Sequence, residues 1–144
     1  MPGSDFDSVG RPQIHEFDTV VGFTLPVPAG EIWEVQAIAF RFLTSATVGQ
    51  RRILISVETG NGERLYRRSS LVEIAENSSC RCCWAPGIPD ETALNTPSYL
   101  MQSMPLLMIG GSAAEVSIAD GNSIDAADTI KGSVQVRVYD GEPQ

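Results

Sequence analysis

Histidine is almost missing from this chain. His15 is the only one, and an imidazole with no second histidine is a poor metal ligand and a poor general base, so it reads as a surface residue. A single histidine also excludes a metal centre of the cupin kind. No Gly-rich phosphate loop, Gly-x-Ser-x-Gly elbow, His-x-x-x-His pair or His/carboxylate cluster occurs in the 144 residues. The chain therefore reads as a non-enzyme that needs no cofactor.

Positive charge is scarce too. Ten Lys and Arg against 18 Asp and Glu leave a net charge of −8, which argues against nucleic acid as a partner, because phosphate binding needs a basic face. No apolar run approaches the roughly 18 residues that cross a bilayer, so no membrane partner is expected. The opening Met1-Pro2-Gly3-Ser4-Asp5 lacks the basic start and apolar core of a signal peptide, which makes cytoplasmic synthesis the expectation. The three cysteines Cys80, Cys82 and Cys83 are odd in number and crowded, a poor disulfide framework. A zinc site would need a fourth ligand that is not nearby, and Arg81 alone is weak activation for a nucleophilic thiol. Buried thiols, with Cys80 and Cys82 on one strand face, are the expectation.

What the chain does have is turns and alternation. Thirteen Gly and nine Pro punctuate short β-branched and aromatic segments, and no segment shows a convincing helical period or an internal repeat. The centre is 26–58. The turn Pro26-Val27-Pro28-Ala29-Gly30 leads into a long apolar strand, Ile32 to Leu43, followed by a loop closing at Gly49 and a strand from Arg52 to Glu58. In the long strand Trp33 and Val35 have one parity and Ile38, Phe40 and Phe42 the other. Side chains alternate faces along a strand, so either a β-bulge near Gln36-Ala37 reconciles the two sets or both faces are covered.

Further strands are expected at Thr19 to Leu25, Arg64 to Ser70, Ser79 to Trp84, Tyr99 to Met108, Ala114 to Ala119 and Thr129 to Tyr139, with a hairpin at Gly60-Asn61-Gly62. Inward positions are Ile53, Ile55 and Val57, then Val116 and Ile118, then Val134, Val136 and Val138. About eight strands without helices give an all-β class: an antiparallel two-sheet β-sandwich, jelly-roll-like, as one domain over 18–144. Residues 1–17, with isolated apolar Phe6, Val9, Ile14 and Phe17, are expected to be an extended N-terminal arm over a neighbouring subunit.

Contact residues follow from the loops and charges. The long loop from Ile88 to Pro97, with Leu94 inside it, suits a contact role. Arg51, Arg52, Arg64, Arg67 and Arg68 gather on one hairpin, and Arg51, Arg52 and Arg67 are the candidates for bidentate contacts to an acidic partner surface. Asp120, Asp125 and Asp128 lie on one loop whose spacing is not that of an EF-hand, so a solvated turn is expected and no metal is assigned. Met101, Met104 and Met108 read as core filler.

The segments Pro28-Ala29-Gly30-Glu31-x-Trp33-x-Val35 and Thr44 to Arg52 resemble small proteins encoded among the virion genes of tailed bacteriophages. The pattern continues through the Gly-rich hairpin, Trp84-Ala85-Pro86-Gly87, Met104-Pro105-Leu106-Leu107, the Gly110-Gly111 turn and the closing Asp-x-x-Asp strand, about Thr19 to Tyr139. The cysteine-rich strand and the methionine-rich segment depart from it. The resemblance implies a jelly-roll capsid decoration, or cement, protein. Such a protein is made in the host cytoplasm and sits as a homotrimer on the virion capsid surface, clamping neighbouring copies of the major capsid protein. The alternative is a tail, baseplate or head-fibre module that binds a host glycan through Tyr66, Tyr99 and Trp84, or that binds another virion protein.

Overall fold

A computed structural model describes residues 10–20, 22–88, 95–96, 98–122 and 127–140. Among these residues ten strands make two sheets. The first sheet contains β1 (Arg11–Val20), β10 (Thr129–Asp140), β3 (Glu31–Leu43), β6 (Ser79–Ala85) and β7 (Tyr99–Ser103) in that order, with β8 (Leu107–Gly110) pairing β3 where β6 has ended. The second contains β2 (Phe23–Pro26), β9 (Glu115–Asn122), β4 (Arg52–Thr59) and β5 (Glu63–Ser69). All pairs are antiparallel except β6 with β7. This is the expected all-β sandwich, with ten strands in place of about eight.

Both extra strands have simple causes. The segment Tyr99 to Met108 divides because Pro105 has no N–H for a ladder, so β7 ends at Ser103 and β8 restarts at Leu107. The other extra strand takes residues 11–17 out of the expected arm. Residues 11–17 form most of β1, paired with β10 along its length, and Phe17 is a core residue whose ring lies 4.8 Å from Phe23 and 6.2 Å from Phe40. The isolated apolar side chains of this stretch are those of an edge strand, half of whose positions face solvent. Phe6 and Val9 lie outside the described residues.

The conflict of parity in β3 is resolved by a bulge. Ala37 pairs with Gln135 and Val35 with Val136, which leaves Gln36 as the extra residue. The inserted residue switches the inward parity, and Trp33, Val35, Ile38, Phe40 and Phe42 all lie in the core, each at most 5% exposed. From the facing sheet Ile53, Ile55, Val57, Val116 and Ile118 meet them, fully buried or nearly so. At the hairpin between β4 and β5, Asn61 and Gly62 both adopt positive φ, 64° and 73°, conformations that Asn and Gly tolerate best.

Candidate functional site: the outer face of the six-stranded sheet

Alternation sorts the two outer faces. On the four-stranded sheet the outward row Thr24, Ser117, Ser56 and Arg67 runs across all four strands, flanked by Pro26, Glu115, Glu58 and Arg64. Hydroxyls and mixed charges are what a solvated sheet face presents, although Ser56 is itself buried and exposed Leu65 stands on β5. The six-stranded sheet differs. Nine large hydrophobic side chains are exposed among the described residues, and six of them (Ile14, Val20, Ile32, Leu43, Tyr99 and Met108) point outward from this one sheet. Ile14 is 62% exposed, Val20 52% and Met108 50%. Single exposed apolar residues are ordinary, and their concentration on one face makes it the candidate contact surface.

The same face carries a row of charge. Asp18 pairs with Lys131, Lys131 with Arg41, Arg41 with Arg81, and Arg81 with Tyr99, on five successive strands. Three cations thus occupy directly opposite positions on β10, β3 and β6. Their side chains make no hydrogen bond or ion pair among the described residues. Like charges placed directly opposite destabilise a sheet. Between them lies a groove of about 370 Å³, lined also by Ala39, Cys83, Tyr99 and the backbone at Gly132. The small side chains of Ala39 and Cys83 leave room for it. At Gly132 a Cβ would run into the backbone of Ala39 and Phe40, so only glycine lets β10 and β3 approach so closely there. A second hollow on the far side of Lys131 is lined by Glu16 and Asp18.

The cysteines divide between the faces as expected. Cys80 and Cys82 are buried, with the Cys82 thiol 3.8 Å from Cys80 Sγ, while Cys83 is half-buried on the outer face. Burial holds the Cys82 thiol well above its ordinary pKa and raises that of Cys83.

Most of the residues singled out from sequence lie elsewhere. Arg51 is 1% exposed and Asp128 0%, and they pair: Arg51 Nε donates to Asp128 Oδ2 at 3.0 Å and Nη2 to Ser45 Oγ at 3.2 Å, while the backbone N–H of Ser45 donates to Asp128 Oδ1 at 2.8 Å. Arg51 therefore offers nothing to a partner surface, and Asp128 is a structural anion and not part of a solvated turn. Asp125 lies outside the described residues, and Asp120 is described only as part of β9. Arg52 is half-buried and donates from Nη1 to the carbonyl of Ser70 at 2.7 Å. Arg67 is exposed, on the four-stranded sheet. Ile88 is half-buried where its loop begins, and Leu94 lies outside the described residues. Of the expected contact residues that are described, only Ile14 falls on the apolar face.

Three smaller expectations also change. His15 is half-buried, its ring 4.6 Å from that of Trp33. Trp84 is fully buried against Phe40 and Tyr66 gives its hydroxyl to the carbonyl of Ser103, which leaves Tyr99 alone of the three aromatics free to stack on a sugar. Met104 is core, whereas Met108 is half-exposed on the outer face.

Nothing in the sequence groups Arg41, Arg81 and Lys131, because they are 40 and 50 residues apart. Each is the polar member of an alternating strand, and only the strand order β10-β3-β6 makes them neighbours. No group of three or more His, Cys, Asp and Glu able to hold a metal occurs among the described residues, and none of their helices is long and apolar enough to cross a membrane. No family model, curated protein or solved structure matches the chain.

Proposed function

We propose that this chain is a structural virion protein of a tailed phage: a capsid decoration protein that trimerises on the head surface and clamps neighbouring major capsid proteins. The observation that carries the reading is the uneven distribution of exposed apolar side chains, six of the nine among the described residues lying on the outer face of one sheet. A clamp works by area. Contacts with several shell subunits and with its own copies each add modest burial, and their combination gives strong retention.

The strand pairing supports the jelly-roll part of the reading. Four antiparallel pairs nest, β1 with β10, β2 with β9, β3 with β6 and β4 with β5. One long eight-stranded hairpin that is rolled into two sheets has this nesting, and β7 and β8 are then additions beside β6 and β3. The resemblance of 19–139 to virion proteins supplies the class of partner.

The test is co-sedimentation of the purified chain with empty heads of the phage whose genome encodes it. Retention in the pellet at stoichiometric occupancy supports the clamp, and loss of retention in a Val20→Asp/Met108→Asp double variant assigns it to this face. Protein left in the supernatant, beside heads that bind their known surface proteins, overturns it.

A further inference from the structure

The row Lys131, Arg41 and Arg81 is an expense that the fold itself does not need. Three cations side by side on adjacent strands repel one another, in a chain whose other charge is mostly negative. Neighbouring strands lie about 4.8 Å apart, so the charged ends span roughly two strand spacings, wider than a single small anion. The groove beneath is concave, about 370 Å³, with the small side chains of Ala39 and Cys83 on its floor and exposed Tyr99 at one end. The opposite end is closed by carboxylates, Asp18 directly across from Lys131 and Glu16 beside it.

We propose that this groove binds an acidic, extended segment of a partner protein, one with carboxylates on alternate residues. In an extended chain, alternate side chains point the same way and repeat every ~6.8 Å, within reach of long Arg and Lys side chains set in a row. The Arg41 and Arg81 guanidinium groups supply planar forks that match carboxylates. The anions at the β1 end set the direction, because they repel an acidic chain that runs past Lys131. They also oppose nucleic acid, whose phosphates continue at full charge density beyond any three cations, as does the net charge of −8. The proposal goes beyond the assembly reading and does not depend on it, since any protein with such a segment would serve.

Cys83 makes the site testable, because its thiol lines the groove while Cys80 and Cys82 are buried on the other side of the strand. A fluorescein-labelled peptide of alternating Glu and Ser is titrated into the intact protein at low salt and followed by anisotropy. The wild type is compared with Arg41→Gln, Arg81→Gln and, as a control on the other sheet, Arg67→Gln. Each groove variant is expected to weaken binding about threefold to fivefold, the range for partly exposed ion pairs, and the double variant by the product. The control binds as the wild type does, and bound peptide slows Cys83 modification by a disulfide reagent. Absence of peptide binding overturns the proposal, as does equal binding by the groove variants or Cys83 reactivity indifferent to peptide. Tighter binding of a single-stranded oligonucleotide than of peptide overturns it too. So does self-association that the Arg41→Gln change abolishes while peptide binding persists, because the occupant is then a second copy.

Discussion

Arg41 and Arg51 stand ten residues apart, on two sides of one loop, and the fold treats them in opposite ways. Arg51 is sealed in a corner with Asp128, Ser45 and the carbonyl of Gly49 around its guanidinium. Arg41 lies on an open sheet face between two other cations. The first arrangement is what burial demands, since a charge without a partner in a low-dielectric interior is very costly. The second is tolerable only because water screens it. A cation that the fold needs is paired within the chain, whereas one left among like charges is no part of what holds the fold together.

The contrast predicts stability changes of opposite sign. The largest is expected for Arg51→Ala, which leaves Asp128 buried and unpaired: a loss of about 3–5 kcal/mol and a Tm lower by roughly 10–20 °C. Equilibrium urea denaturation checks it, and a loss below 1 kcal/mol would show that the corner opens to water. Next comes Gly132→Ala, where the added carbon meets the backbone of Ala39 and Phe40. A cost of about 3 kcal/mol, the upper end for overpacking, is expected, together with distortion of the groove seen as faster or slower modification of Cys83.

Arg41→Gln should act the other way. Relief of like-charge repulsion across β10, β3 and β6 is worth a few tenths of a kcal/mol, so Tm rises by about 1–2 °C at low salt. The gain fades in ~1 M salt, where the screening length falls to about 3 Å. A fall in Tm at low salt would mean that Arg41 packs structurally.

The smallest effect is expected at Glu76, which accepts from the backbone N–H of Gly49 at 3.2 Å, next to the Arg51 corner. Hydrogen bonds from its own backbone N–H and from that of Gly49, with the Arg51 charge behind them, hold its carboxyl below the ordinary value of 4.5. A depressed carboxylate adds stability above its unfolded pKa and loses it as pH falls through the folded one. Thermal melts from neutral pH down through the carboxylate range should therefore fall slightly more steeply for the wild type than for Glu76→Gln.

Local chemistry made much of the fold legible. The two parities of β3 demanded a bulge or a doubly covered strand, and the Gln36 bulge is one of those two solutions. The alternation of Ile53, Ile55 and Val57 and of Val134, Val136 and Val138 faces the core as expected, because a strand has only two sides. Residues 11–17 were not legible as a strand, since an edge strand with one solvent-facing side needs few apolar residues and carries Pro12 without loss. The charged sites were illegible for a different reason. The partner of Arg51 is 77 residues away and the groove is assembled from β10, β3, β6 and β7, so both depend on pairing, which no local pattern encodes.

The account rests on the outer face of the six-stranded sheet being a surface for other chains. The most direct test is sedimentation equilibrium of the purified protein beside the Ile14→Asp/Val20→Asp double variant, whose new charges sit on that face and leave the core untouched. The account predicts a trimer for the wild type and a monomer with an unchanged far-ultraviolet spectrum for the variant. A wild type that stays monomeric at every concentration, or a variant that assembles as the wild type does, would contradict it.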